Sequence, residues 1–251
     1  MRKITLIFVV ALSMFLHGCA SMETESKQRQ VASVLAYLFP GSESSPPVAA
    51  SPAEIKVPFR IGVAFVPDSS STAFRLPENE RLKLADKVRD AFRNYPFIKD
   101  IVSVPSIYLE PGGGFANLSH VASLLNLDVI ALVSFDQVQN AGANGWSFLY
   151  WTGIGAYMIN GDQYDILTAV EATVFDVKSH RLLMRGGGIS NIKGSATMVG
   201  FSEKAREARN RGFDEAVKEM IQKLHEETKS FRERAPKDPN IRLILPPGYK
   251  P

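Results

Sequence analysis

Apolar and polar positions change period several times along the 251 residues, and each change marks an element. In "RIGVAFVPD", Ile61, Val63 and Phe65 alternate with Gly62, Ala64 and Val66, so both faces are apolar. That pattern predicts an inner strand covered by helices, ended by Pro67 and Asp68. From Glu78 to Phe92 the period becomes helical, with Leu82, Ala85, Val88 and Phe92 on one stripe. A second strand is expected around Ile101 to Val104. A glycine turn and a short helix follow, with Asn117 as its cap and Leu118, Val121, Ala122 and Leu125 facing inward. "DVIALVSFDQVQ" is the clearest strand of the chain. Strand, helix, strand, helix, strand in this order implies parallel pairing through right-handed crossovers.

The pattern then changes. "DILTAVEATVFDV" and "RLLMRGGGISNI" read as two long strands joined across "KSH" in an antiparallel hairpin. A last helix runs from about Ser202 to Phe231, with Phe213, Val217, Met220, Ile221, Leu224 and Phe231 on its apolar side and Gly212 as a point where it would kink or divide. The fold class expected is α/β: a mixed, mainly parallel sheet with flanking helices and a C-terminal β-hairpin followed by a long helix. Its body spans residues 57–233, and residues 234–251 form an extended Pro-rich tail laid on the domain.

The N-terminus follows another logic. Arg2 and Lys3 precede a stretch from Ile4 to Leu16 whose only polar members are Thr5 and Ser13. This is the pattern of an export signal, too short for a helix that spans a bilayer, which needs roughly 20 residues. "LHGC" then resembles a lipobox, the processing site of bacterial lipoproteins: Leu16, Gly18 and Cys19 match, whereas His17 stands where a small residue is usual. The resemblance implies cleavage after residue 18, acylation of Cys19 and, with Ala20 rather than aspartate next, residence in the outer membrane. A soluble periplasmic protein cut by the ordinary signal peptidase is the other reading. Residues 19–56, which include "GSESSPPVAASPAE", are expected to be a lipid-anchored tether containing a short helix through Val31, Val34, Leu35 and Leu38.

Composition narrows the chemistry. Cys19 is the only cysteine, so a chain that spends it on lipid has no disulfide, thiolate metal site or Cys nucleophile. The formal charge of +3 falls to about +1 once Arg2 and Lys3 leave with the signal, and no Lys/Arg stripe with interleaved aromatics is present. Nucleic acid is not expected as a partner. His120, His180 and His225 lack second ligands at metal spacing, and "HEETK" lacks the second histidine of a zinc-protease motif. No metal or cofactor is expected. Ser134 lies inside a strand with no nucleophile elbow, and Asp136, Asp162 and Asp165 form no recognisable pair.

Two candidate binding regions remain. Asp68, Gly112, Gly113, Gly114 and Phe115 lie beyond the first strand ends, where a glycine run before a helix exposes amide groups to a ligand; a plain turn explains the same glycines. "GWSFLYWTGIGAYMI" carries no charge and contains Trp146, Trp151 and Tyr157. It reads as a buried segment, as an exposed patch that docks an envelope protein or a second copy, or as a membrane-inserting hairpin.

"RIGVAFVPDSS", "FIKDIVSVPSIYLEPGGGFANL", "DVIALVSFDQVQ", "YWTGIGAYMI" and "KGSAT" together resemble the rhombotarget lipoprotein family. The resemblance implies an envelope lipoprotein of unestablished activity, associated by genome context with rhombosortase, an intramembrane serine protease. It defines no active-site residue. "PPGYKP" is not the sorting signal which that protease processes, so the chain is not expected to be its substrate. The function expected is therefore an accessory or interaction protein anchored by Cys19 at the periplasmic face of the outer membrane, the alternative being a small-ligand or glycan-binding or hydrolytic envelope domain.

Overall fold

The computed structural model describes residues 26–41, 51–68, 75–143 and 155–248. The signal segment, Cys19, Trp146 and Trp151 lie outside them. The strands are β1 (Ser26–Ala32), β2 (Ala53–Lys56), β3 (Phe59–Phe65), β4 (Ile98–Val104), β5 (Val129–Ala143), β6 (Asp162–Asp176), β7 (Leu182–Ala196) and β8 (Ile241–Ile244). The helices are α1 (Val34–Leu38), α2 (Glu78–Phe92), α3 (Gly114–Leu125) and α4 (Phe201–Arg234), with a single turn at Gly155–Met158. The chain divides into two compact units. The larger holds the described residues of Arg29–Val138, Ile166–Ile192 and Ala208–Pro251; the smaller holds the described residues of Met1–Gln28, Gln139–Asp165 and Lys193–Glu207.

In the larger unit the strand order is β4-β3-β5-β6-β7, with β1 also paired to β5. β3 runs parallel to both β4 and β5, as the two crossover helices require. The hairpin reverses direction. Ser134 meets Glu171 while Leu132 meets Thr173, and Asp176 meets Arg181 while Glu171 meets Arg185. The sheet is thus mixed, parallel on one side of β5 and antiparallel on the other.

Why these residues choose their faces is visible in the core. Ile61, Val63, Val129 and Ala131 meet Val88 and Phe92 of α2 and Leu224 of α4 on one face. Val174 faces that side, whereas its neighbour Phe175 packs edge-on against Phe115 of α3; successive side chains of a strand point to opposite faces. The stripe of α2 is Arg81, Leu84, Ala85, Val88 and Phe92, one step from the expected Leu82, because Arg81 reaches back to the Leu76 carbonyl at 3.0 Å and stays buried.

α4 does not break at Gly212. It passes unbroken from Phe201 to Arg234, and a Cβ at Gly212 would lie 2.6 Å from the Thr168 hydroxyl. The glycine answers a close approach, and so do Gly186 and Gly188 on β7, which lie under Leu224, Ala216 and Met220. Beneath the same stretch of α4 runs a buried polar ladder. Gln30 Nε2 donates to Gln137 Oε1 at 2.8 Å, and Gln137 Nε2 donates to Thr168 Oγ1 at 2.7 Å and to the Arg209 carbonyl at 3.1 Å. Gln30 Oε1 in turn accepts the Leu76 amide at 3.1 Å.

Residues read as tether are built into the fold. Ser26–Ala32 is a strand on β5, the expected short helix is confined to Val34–Leu38, and Ala53–Lys56 pairs in parallel with Ile241–Ile244 of the expected tail. Val34, Tyr37, Leu38, Ala53 and Ile55 are buried. Their apolar area, at about 25 cal/mol per Å² removed from water, outweighs the polar composition around them.

The smaller unit contains the far ends of β5 and β6, the end of β7 and the start of α4. The Tyr164 ring stacks edge-on against Phe201 and covers Gly194. Lys193 pairs with Asp165 at 3.1 Å, and the Thr197 hydroxyl accepts the Gly200 amide at 3.1 Å ahead of α4.

Candidate functional site

The β6–β7 connection is five residues of tightly held loop. Asp176 Oδ2 accepts the Ser179 amide at 2.8 Å and its hydroxyl at 2.5 Å, and the Arg181 amide donates to Ser179 Oγ at 3.3 Å. His180 closes the turn with φ at +59°, a left-handed conformation usual for glycine and tolerated by few other residues. In that conformation its imidazole lies flat on Phe115, ring centres 4.2 Å apart and planes 14° apart. Phe115 also meets Phe39 and Phe175 edge-on at 5.7 and 5.9 Å.

Phe115 is held in place by the glycines before it. Gly112 and Gly114 have φ of +68° and +61°, and a Cβ on either would press on Pro40 or on the Leu38 carbonyl. The run lets the end of α1 lie against the start of α3. Asn117 does not cap α3, which starts at Gly114; its Oδ1 accepts the Tyr37 hydroxyl at 2.7 Å and the Glu110 amide at 3.1 Å, and its Nδ2 donates to the Tyr108 carbonyl at 3.2 Å. Burial, aided by the Glu110 charge, pushes the Tyr37 phenol well above its ordinary range.

These contacts frame an open groove of about 860 Å³ in the larger unit. α1 and Phe39 form one wall, Phe115 and His180 the end, and Ser134, Glu171 and Thr173 the sheet floor. Lys178, Arg181 and Arg185 line the hairpin side against the single carboxylate of Glu171. Arg185 approaches Glu171 at 3.6 Å, and Arg181 Nη2 donates to the Ser51 carbonyl at 3.4 Å. The groove offers flat rings, hydroxyls and an excess of positive charge. Its hydroxyls already have partners: Ser134 Oγ donates to the Glu171 carbonyl at 3.2 Å, Thr173 Oγ1 to the Leu132 carbonyl at 3.2 Å, and Ser33 Oγ caps α1 by accepting the Ala36 amide at 3.3 Å.

Of the expected cleft, Phe115 lines this groove, whereas Gly112, Gly113 and Gly114 serve the contact with Leu38 and Pro40. Asp68 belongs to another neighbourhood, buried beside Arg81, whose guanidinium lies over the Phe135 ring. Burial lowers the Arg81 pKa, and Glu78 and Asp68 oppose that shift. The histidines are apart in role: His120 is exposed on α3, His180 ends the groove, and His225 stacks on Phe92 at 4.3 Å with Nδ1 2.7 Å from the Tyr95 hydroxyl. Among the described residues no group of three His, Cys, Asp or Glu side chains is placed to hold a metal. Asp136 pairs with Arg29, and Asp165 with Lys193. Of the aromatic patch, Tyr157 is described and 70% exposed. Sequence reasoning missed Phe39, Lys178, Arg181 and Arg185 as neighbours of Phe115. The available signal was local: Ser33 before an apolar run, and Lys178, His180 and Arg181 gathered in and beside the expected hairpin turn.

No family model matches the chain, and no curated protein matches it in sequence. Among solved structures it is similar to a putative neuraminyllactose-binding hemagglutinin homolog from Helicobacter pylori, at 8% identity, over 80% of this chain and 98% of that one, with a TM-score of 0.42. It is also similar to the PelC dodecamer from Paraburkholderia phytofirmans, at 12% identity, over 77% and 99%, with a TM-score of 0.29. The lipoprotein GNA1162 from Neisseria meningitidis is 13% identical over 59% of this chain and 94% of that one, with a TM-score of 0.28.

Proposed function

We infer that this chain is a bacterial envelope lipoprotein, acylated at Cys19, which acts at the periplasmic face of the outer membrane as an accessory or interaction protein. The observation that carries this reading is the join of two features: an uncharged run from Ile4 to Leu16 and, directly after it, Leu16, Gly18 and Cys19 in lipobox order. Acyl chains at about 0.8 kcal/mol per buried methylene hold such a protein on a bilayer once more than one chain is attached. No helix among the described residues is long and apolar enough to cross a membrane. The resemblance to the rhombotarget lipoprotein family supports the same reading. The test is intact-mass analysis of the protein isolated from membranes, combined with crosslinking in cells. Expected are the mass of the chain from Cys19 plus acyl groups and a recurrent envelope protein crosslinked to it; a free Cys19 thiol on a protein released by washing overturns the reading.

A second reading is favoured by the groove. Stacked Phe115 and His180 beside Lys178, Arg181 and Arg185 suit a small anionic ligand with a flat face, such as an acidic sugar. Equilibrium binding of hexuronic acids, with Arg181→Ala as the comparison, tests it: saturable binding weakened by the substitution supports it, and equal binding to both proteins overturns it.

A further inference from the structure

We propose that one end of the smaller unit rests on the lipid surface that holds Cys19, through the exposed apolar side chains of two turns. The first is Gly155–Met158, where Tyr157 is 70% and Met158 75% exposed. The second joins β7 to α4, where Met198 is 58% and Val199 56% exposed. Single exposed apolar residues need no explanation, but two adjacent pairs gathered in one small unit do. The topology gathers them. β5 and β6 are antiparallel, as are β6 and β7, so the end of β5, the start of β6, the end of β7 and the start of α4 share one end of the strands. All four belong to the smaller unit.

The length of chain before the described residues says what lies there. β1 starts at Ser26, seven positions after Cys19, and Ser26–Gln28 belong to the same unit as Tyr157, Met158, Met198 and Val199. A fully extended chain gains at most about 3.5 Å per residue, so Ser26 stays within roughly 25 Å of the acylated cysteine. The mature chain therefore has no long leash between lipid and fold. The lipid anchor supplies most of the hold; burying four side chains a few ångströms into the headgroup region adds a second, weaker contact and sets the orientation. This inference rests on acylation of Cys19, as inferred above.

With Cys19 occupied by lipid, Met158→Cys and Val199→Cys each give a protein with one labelable thiol. The full acylated chain, spin-labelled at either position, is placed in vesicles of phosphatidylethanolamine and phosphatidylglycerol. Its accessibility to a water-soluble nickel chelate and to oxygen is compared with that of the chain from Ala20 without lipid. Expected is a several-fold loss of nickel accessibility at both positions, with a gain for oxygen, only in the anchored protein. Labels as open to nickel on vesicles as off them, in protein of acylated mass, overturn the contact and leave the anchor standing. Protection that grows with concentration in the unlipidated chain alone assigns the patch to a second copy and overturns the proposal. Protein of unacylated mass overturns the anchor and this contact together.

Discussion

A Cβ placed on Gly188 of β7 would stand 2.0 Å from the carbonyl oxygen of Ala216 in α4, and 2.6 Å from the Met220 amide nitrogen. Both atoms are helix backbone, so no rotamer change relieves the clash. Gly188→Ala is expected to destabilise the protein by about 3 kcal/mol, the upper part of the usual range for overpacking. Gly187→Ala, whose Cβ would meet the Val170 carbonyl at 3.4 Å on the other face, is expected to stay within about 0.5 kcal/mol of the parent. Urea unfolding midpoints of the two variants make the comparison; equal midpoints would mean that α4 does not pass this close.

Tyr37 gives a pH dependence with a definite sign. Its phenol titrates above the ordinary 10.0 in the fold because burial disfavours the phenolate, with the Glu110 charge second. The unfolded chain therefore releases this proton first, and stability falls as pH rises past about 10. Tyr37→Phe loses the bond to Asn117, a cost of about 1 kcal/mol at neutral pH. Between pH 9 and 11 its unfolding midpoint is expected to fall less steeply than that of the parent. Parallel slopes would show that Tyr37 contributes nothing to the alkaline loss.

His180 balances two terms of similar size. Its left-handed backbone costs about 1 kcal/mol for a residue with a Cβ, and its stacking on Phe115 returns about 1 kcal/mol. His180→Gly removes both and is expected to be nearly neutral. His180→Ala keeps the backbone cost without the ring and is expected to lose about 1 kcal/mol. Thermal unfolding of the pair separates backbone from stacking, and an alanine variant as stable as the glycine variant would contradict the balance.

What could be read from the chain depended on the range of the signal. β3, β5, the β6–β7 hairpin, α2 and α4 were legible because each repeats its own period over many residues. β1 was not, since "SKQRQVA" is mostly polar and its inward Gln30 makes sense only beside Gln137, 107 positions away. Gly112–Gly114 announced a tight turn but not its partner, because Leu38 and Pro40 come from the segment read as a leash. Phe115 was picked for the wrong neighbour, Asp68, when its ring stacks on His180. Side chains meeting across a sheet face leave no period in the sequence.

The pairing of β2 with β8 joins segments whose Glu54 and Arg242 are 188 positions apart. The chain is made N-terminus first, so Ala53–Lys56 waits with its hydrogen-bonding edge bare while nearly all that follows is delivered. That clasp can shut only on a polypeptide delivered through Ile244. A molecule interrupted earlier lacks β8 and carries an open seam along Ala53–Lys56.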